Sequence, residues 1–215
     1  MSSILSNRVQ KVKPSATMAV SDKAKELKSH GIQIISMGSG EPDFDTPTNI
    51  QKAAIKAIGN GETRYTAADG TPELKKAICE KFKRENGLDY LLTEVMVSCG
   101  GKQVFYNLCQ AILNTGDEVI IPTPYWVSYP DMAILADATP VFIEAGLDQD
   151  FKILPEQLEA SINSNTKLLV LNSPSNPTGS VYSKSEIEAL GTVLEKYPHV
   201  LIISDDIYEH IRWGN

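Results

Sequence analysis

The sequence predicts an α/β fold with a mainly parallel sheet held between two layers of helices, and three observations carry this expectation. From residue 95 onward, short apolar runs alternate with amphipathic segments of helical period, the pattern of crossovers between parallel strands. The cores of those runs are continuously apolar rather than alternating, as in strands covered on both faces. A chain of 215 residues with 42% hydrophobic content is also long enough to bury one large core.

In chain order, Ser15 or Thr17 is placed to cap a helix ending before Gly31, and Thr48 or Asn49 to open one ending at Gly59. Thr71-Pro72-Glu73 is a helix start, with a hydroxyl cap and a proline in the first turn, and Gly87 marks the stop. Strands are expected over 95–99, 118–121, 167–172 and 200–204, with a weaker one over 141–144. Helices are expected over 102–113, 125–136, 155–162 and 184–196, the last opened by Ser183 and Glu186 as a capping box. The turn residues Gly59-Asn60-Gly61 suggest a boundary. Residues 1–60 then form an arm and part of a small domain, and 61–215 a partial large domain.

Composition narrows the function. A net charge of −7, with the 20 basic residues scattered, argues against a nucleic-acid surface, because phosphate backbones call for clustered Lys and Arg. No stretch approaches the roughly 20 apolar residues needed to cross a bilayer, and residues 1–14 lack the apolar core of a signal peptide. A soluble, cytoplasmic protein without a membrane partner is expected. Cys79, Cys99 and Cys109 are odd in number and lack CxxC spacing, so they read as core thiols. His30, His199 and His210 are dispersed, and no metal-ligand spacing occurs.

Four segments can carry chemistry. Cys99-Gly100-Gly101-Lys102 joins a strand to a helix, where backbone amides attract anions, glycine permits close approach and Lys102 adds charge. It is not a Walker loop, since Met96 stands where the first glycine should be, and a Gly-Gly turn can be only a turn. Trp126 follows the 118–121 strand and can stack on a planar ring or serve as a core tryptophan. The loop from Asn172 to Gly179 (Asn-Ser-Pro-Ser-Asn-Pro-Thr-Gly) uses two prolines to hold Asn176 in one direction, though such clusters also occur as ordinary loop punctuation. Asp205 ends the last strand, where a carboxylate either stabilises a protonated pyridine nitrogen or caps a helix; Tyr208 follows three residues on.

Taken together, these segments resemble the class I aminotransferases of the fold-type I pyridoxal-phosphate enzymes, in the bacterial aspartate aminotransferase branch. The likeness runs over nearly the whole chain. It rests on Lys13-Pro14-Ser15-Ala16-Thr17, Gly40-Glu41-Pro42-Asp43-Phe44, Tyr65 with Gly70, Gly100-Gly101-Lys102, Pro124-Tyr125-Trp126-Val127-Ser128-Tyr129, Asn172 to Gly179 and Ser204 to Tyr208, all in family order. Asp206 departs from the pattern, standing where related sequences commonly carry Glu.

The resemblance implies a three-layer α/β/α large domain, truncated before its last strands, plus part of a small domain. It implies aspartate:2-oxoglutarate transamination on pyridoxal 5'-phosphate, with amino acids and 2-oxo acids as substrates and a homodimer as the complete protein. Gly100, Gly101 and Lys102 would lie near the cofactor phosphate, Trp126 against the pyridine ring, and Asn176 and Tyr208 at its phenolic oxygen. Asp205 would pair with the ring nitrogen. Gly40, with Trp126 and Asn176, would meet substrate, and Tyr65 would reach the phosphate of a neighbouring subunit. Lys102 could instead face the distal carboxylate of an acidic substrate. The family's cofactor-bonding lysine comes later than Asn215, and no lysine follows Lys196, so the chain alone is expected to be inactive. Its strand at 95–99 should lack sheet neighbours, leaving unpaired edges and exposed apolar surface. Aromatic or methionine transamination, carbon–sulfur lyase chemistry and a non-catalytic, cofactor- or partner-binding fragment remain alternatives.

Overall fold

The computed structural model describes residues 4–14, 16–38, 40 and 42–212, without the side chains of Ala16 and Thr17. Pro14–Cys99 form one compact unit, and the described residues before and after it form the other.

In chain order the helices begin with α1 (Asn7–Lys11), which belongs with the C-terminal segment, followed by α2 (Ala16–Ser29), α3 (Thr48–Gly59) and α4 (Pro72–Lys81) in the other unit. Thr71 caps α4 by accepting a hydrogen bond from the Leu74 amide at 3.3 Å. The helix runs on through a wider turn at Phe82–Asn86 and stops at Gly87, whose φ of 70° suits glycine. Thr48 opens α3 as expected, but Pro47 at its cap offers no side-chain bond. Ser15, the other expected cap, lies outside the described residues. Gly59 ends α3 and Asn60-Gly61 forms the turn after it, inside this unit. Gly70 is required sterically: its φ is +104°, and a Cβ there would meet the Val97 side chain at 2.6 Å.

The expected strand at 95–99 does not form. Val97 donates its amide to the Asp69 carbonyl instead, and among the described residues no strand lies beside it to complete a ladder. Apolar sequence alone does not make a strand, because its backbone groups need a neighbour.

The other unit is a helix-covered sheet. After α5 (Gly101–Ile112) come β1 (Glu118–Thr123), α6 (Ser128–Leu135), β2 (Thr139–Glu144), α7 (Pro155–Ser161), β3 (Thr166–Asn172), α8 (Lys184–Leu194) and β4 (Leu201–Asp205). All four strands pair in parallel, in the order β2-β1-β3-β4. The chain moves from β1 outward to β2 and then back across to β3. Right-handed crossovers in opposite directions put their helices on opposite faces.

The core is therefore double. On one face Val119, Ile121, Leu168 and Val170 pack with Phe105, Cys109, Tyr129 and Met132 of α5 and α6. On the other, Ile120 and Leu169 pack with Leu158, Leu190, Val193 and Leu194 of α7 and α8. Consecutive residues of one strand thus enter different cores, which explains the unbroken apolar runs. Of the cysteines, Cys109 is fully buried and burial pushes its thiol up to about 12. Cys99 is exposed, so the core-thiol reading fails there: it sits in the turn before α5, outside both clusters.

The capping box at α8 forms as expected. Ser183 Oγ accepts from the Glu186 amide at 3.3 Å, and Glu186 Oε2 accepts from the Ser183 amide at 2.6 Å. Glu186 also pairs with Lys152 at 2.6 Å. These contacts, the Lys152 hydrogen bond foremost, hold its carboxyl at about 2, below its ordinary 4.5. Because the folded value is the lower one, the stabilisation is fully present above pH 4.5 and is lost as pH falls towards 2. Urea unfolding across that window is expected to show a loss of no more than about 1 kcal/mol from this group, since the carboxylate is partly solvated. Glu186→Gln should remove that part of the slope.

One edge is open. Leu201 and Ile202 on β4 and Ile207 and Ile211 after it are exposed, as are Ile50, Ile55 and Ile58 on α3. Among the described residues every buried apolar side chain lies in the sheet unit. Exposed edges and apolar patches drive association. The 215-residue chain is expected to form concentration-dependent oligomers in sedimentation velocity, and Leu201→Lys with Ile202→Lys should shift it towards monomer. Among the described residues no helix is long and apolar enough to cross a membrane.

Candidate functional site

Strand order places the site. In an open α/β sheet, ligands bind beyond the carboxyl ends of strands where the order reverses, here between β1 and β3. From β1 the chain leads to Trp126, from β3 to Asn172 and Asn176, and β4 ends at Asp205 with Tyr208 just beyond. A cavity of about 200 Å³ opens there, its lining including Gly101, Lys102, Trp126, Tyr129, Asn172, Asn176, Asp205 and Tyr208.

Six of the residues singled out from the sequence thus converge, Gly101 among them with Lys102, Trp126, Asn176, Asp205 and Tyr208. Gly100 caps α5 immediately before Gly101. Gly40 and Tyr65 lie in the other compact unit, both exposed.

Gly100 has φ +83°, a conformation that side chains disfavour. No heavy atom stands within 4 Å of a Cβ position at Gly100 or Gly101. The space a side chain would fill beside Gly100 and Gly101 is thus open, at a helix N-terminus where the amides of Gly101 and Lys102 lack intrahelical acceptors and the helix dipole favours an anion. The Lys102 ammonium lies 5.5 Å from the Trp126 ring centroid. It also lowers the Asp131 carboxyl, which burial, the larger effect, pushes up.

The polar end is tightly tied. Asp205 Oδ2 accepts from the Tyr129 hydroxyl at 2.5 Å, and Oδ1 accepts from the Ile207 amide at 3.3 Å. Asn172 braces two strand ends at once: its Nδ2 donates to the Asp205 carbonyl at 2.8 Å, and its Oδ1 accepts from the Asn176 amide at 2.8 Å. Asn176 Nδ2 lies 3.5 Å from the Tyr208 hydroxyl, so both donors can reach a single acceptor. The lining offers an aromatic face at Trp126, donors at Asn176 and Tyr208, a carboxylate at Asp205 and the N-terminus of α5 at Gly101 and Lys102. A planar, zwitterionic heteroaromatic anion matches each of these.

The sequence reading leaves Tyr129 and Asn172 without a role. Tyr129 comes one turn after Trp126, its amide donating to the Trp126 carbonyl at 3.1 Å, so the two side chains start from the same turn. Asn172 ends a buried strand, where an open sheet presents polar groups to ligands.

Comparison with known proteins points the same way. Over 207 residues the chain is 59% identical to an aspartate/prephenate aminotransferase of Nitrosomonas europaea, covering 96% of this chain and 52% of that protein. A probable aspartate/prephenate aminotransferase of Rickettsia felis is 59% identical over 213 residues, covering 99% and 52%. The crystal structure of the aspartate aminotransferase from Rhizobium meliloti superposes with a TM-score of 0.95 at 47% identity, covering 98% of this chain and 53% of that one. The Thermus thermophilus aspartate aminotransferase with maleate gives 0.93 at 47%, covering 98% and 55%. The chain spans about half the length of the curated relatives it matches. Residues 32–215 match the family described as aminotransferase class I and II, so a likeness first carried by a few loops extends through the strands that support them. This chain belongs to the class I and II aminotransferase family.

Proposed function

We propose that the complete protein transfers amino groups from aspartate to 2-oxoglutarate with pyridoxal 5'-phosphate, and that this chain contributes the cofactor-facing half of the site. The observation that carries the reading is the convergence of Trp126, Asn176, Asp205 and Tyr208, from the ends of three parallel strands, on one cavity.

The residues fit the cofactor. The amides of Gly100 and Gly101, with Lys102, receive its phosphate at the start of α5, where no side chain intrudes. Trp126 packs against the ring, and Asn176 and Tyr208 donate to the phenolic oxygen. Asp205 holds the proton on the ring nitrogen by opposite charge. When bound, pyridoxal phosphate supplies an electron sink for the negative charge left when an amino acid loses its α-proton. Asp205 is the group that maintains that capacity, since it favours the cationic ring. Gly40, through its backbone, is assigned to the substrate carboxylate, and Trp126 and Asn176 are likewise assigned to substrate. Lys102 can alternatively meet a distal carboxylate.

We further propose a cytoplasmic homodimer in which the exposed Tyr65 reaches the partner's phosphate, residues 1–60 serving as arm and part of a small domain, and residues 61–215 as part of the large one. In this reading the 215-residue chain alone is inactive.

Equilibrium dialysis of the chain against pyridoxal phosphate tests the site: no retention would overturn it. Amino-donor profiling of the complete protein tests the reaction, with prephenate as a second acceptor because the relatives carry that name. Absence of oxaloacetate from aspartate would remove the assigned substrate, and turnover of aromatic donors, methionine or a carbon–sulfur substrate would replace it.

A further inference from the structure

Asp205 is gripped by a residue 76 positions away in sequence. The Tyr129 ring is 2% exposed, sits edge-on to Trp126 at 5.3 Å and 85°, and packs on Phe105 at 5.0 Å. Packing on two sides therefore sets where its hydroxyl points. That hydroxyl keeps its proton well above neutral pH, because burial first, and then the Asp205 carboxylate, push its ionisation far up. It is a permanent donor, at the 2.5 Å separation typical of a hydroxyl on a carboxylate.

We propose that Tyr129 is the positioning residue for Asp205, fixing the carboxylate so that its free lone pairs face a cationic ring nitrogen in the cavity. A buried tyrosine needs only some acceptor, and a backbone carbonyl would serve. Here the acceptor is a carboxylate that lines the cavity, and among the described residues its Oδ1 is held only by the longer 3.3 Å contact to the Ile207 amide. Without the Tyr129 hydroxyl the carboxylate rotates about its side-chain bonds, and its attraction for the ring nitrogen is averaged over orientations. The same ring also backs Trp126, so one side chain registers both the flat wall and the charge.

The inference rests on the cofactor reading above, and the test separates the two. Dialysis in the complete protein compares pyridoxal phosphate with its 1-deaza analogue, in which a C–H replaces the ring nitrogen. Tyr129→Phe, which keeps both ring contacts, is expected to weaken pyridoxal phosphate about tenfold, the size of one charge-assisted hydrogen bond, and to leave the analogue unchanged. Equal weakening of both ligands would mean a merely structural role and would overturn the proposal, as would no weakening of either. In Asp205→Ala the same substitution should add nothing; a further tenfold loss there also overturns it. A second measurement needs no substitution: the Tyr129 hydroxyl proton resonance should shift on binding pyridoxal phosphate but not the analogue, and identical shifts count against the role. If the unsubstituted protein retains no pyridoxal phosphate, the proposed function fails first and this inference with it.

Discussion

Asp205→Ala in the complete protein is expected to slow amino-group transfer by about 10²- to 10³-fold, the cost of removing one preorganised charge from a reacting centre, while weakening pyridoxal phosphate binding but leaving some of it bound. The two effects separate because the residues act on different parts of the ligand. Gly100, Gly101 and Lys102 at the start of α5 address the phosphate, Trp126 the ring face, and Asn176 with Tyr208 the phenolic oxygen; none of these touches the ring nitrogen in the proposed arrangement. Asp205 alone supplies negative charge there, at the end of β4, with its carbonyl held by Asn172 and its carboxylate by Tyr129. Steady-state formation of oxaloacetate from aspartate, with cofactor occupancy measured by dialysis, checks the prediction. A near-normal rate at full occupancy would refute the role given to this carboxylate.

Leu168→Ala and Leu169→Ala are each expected to destabilise the chain by about 2–5 kcal/mol in urea unfolding. Both side chains have no exposed surface, yet they enter different clusters: Leu168 belongs with Phe105, Tyr129 and Met132, and Leu169 with Leu158 and Leu190. Each substitution leaves a cavity under a different helical layer, so equal burial on opposite faces predicts similar losses. Against a typical total of about 5–15 kcal/mol, either is severe. A loss below about 1 kcal/mol at one position, and not at the other, would mean that one layer does not cover the sheet. Leu168→Ala also loosens the cluster that holds Tyr129, so it should weaken cofactor binding, whereas Leu169→Ala should not.

The comparison of sequence with structure divides along the range of the forces involved. Thr71 with Leu74 and Ser183 with Glu186 could be read directly, because a cap is a contract between residues three apart. The strands β1 to β4 could be read within two residues of their ends, because each is a short apolar run in consecutive residues; β1 and β3 are buried on both faces, while the edge strands β2 and β4 keep the apolar run but stay largely exposed. The expected strand at 95–99 has the same apolar character and does not form, since a strand also needs a neighbour to pair with.

By itself the sequence determined the fold class, the caps, and the loops that hold Trp126, Asn176, Asp205 and Tyr208. Only the tertiary structure decided that these loops share a cavity, that Asn172 ties two strand ends together, and that Tyr129 grips Asp205. The reason is that capping and periodicity act over a few residues, whereas a hydrogen bond across 76 positions exists only once strand order and crossover hand have brought α6 and the end of β4 into contact.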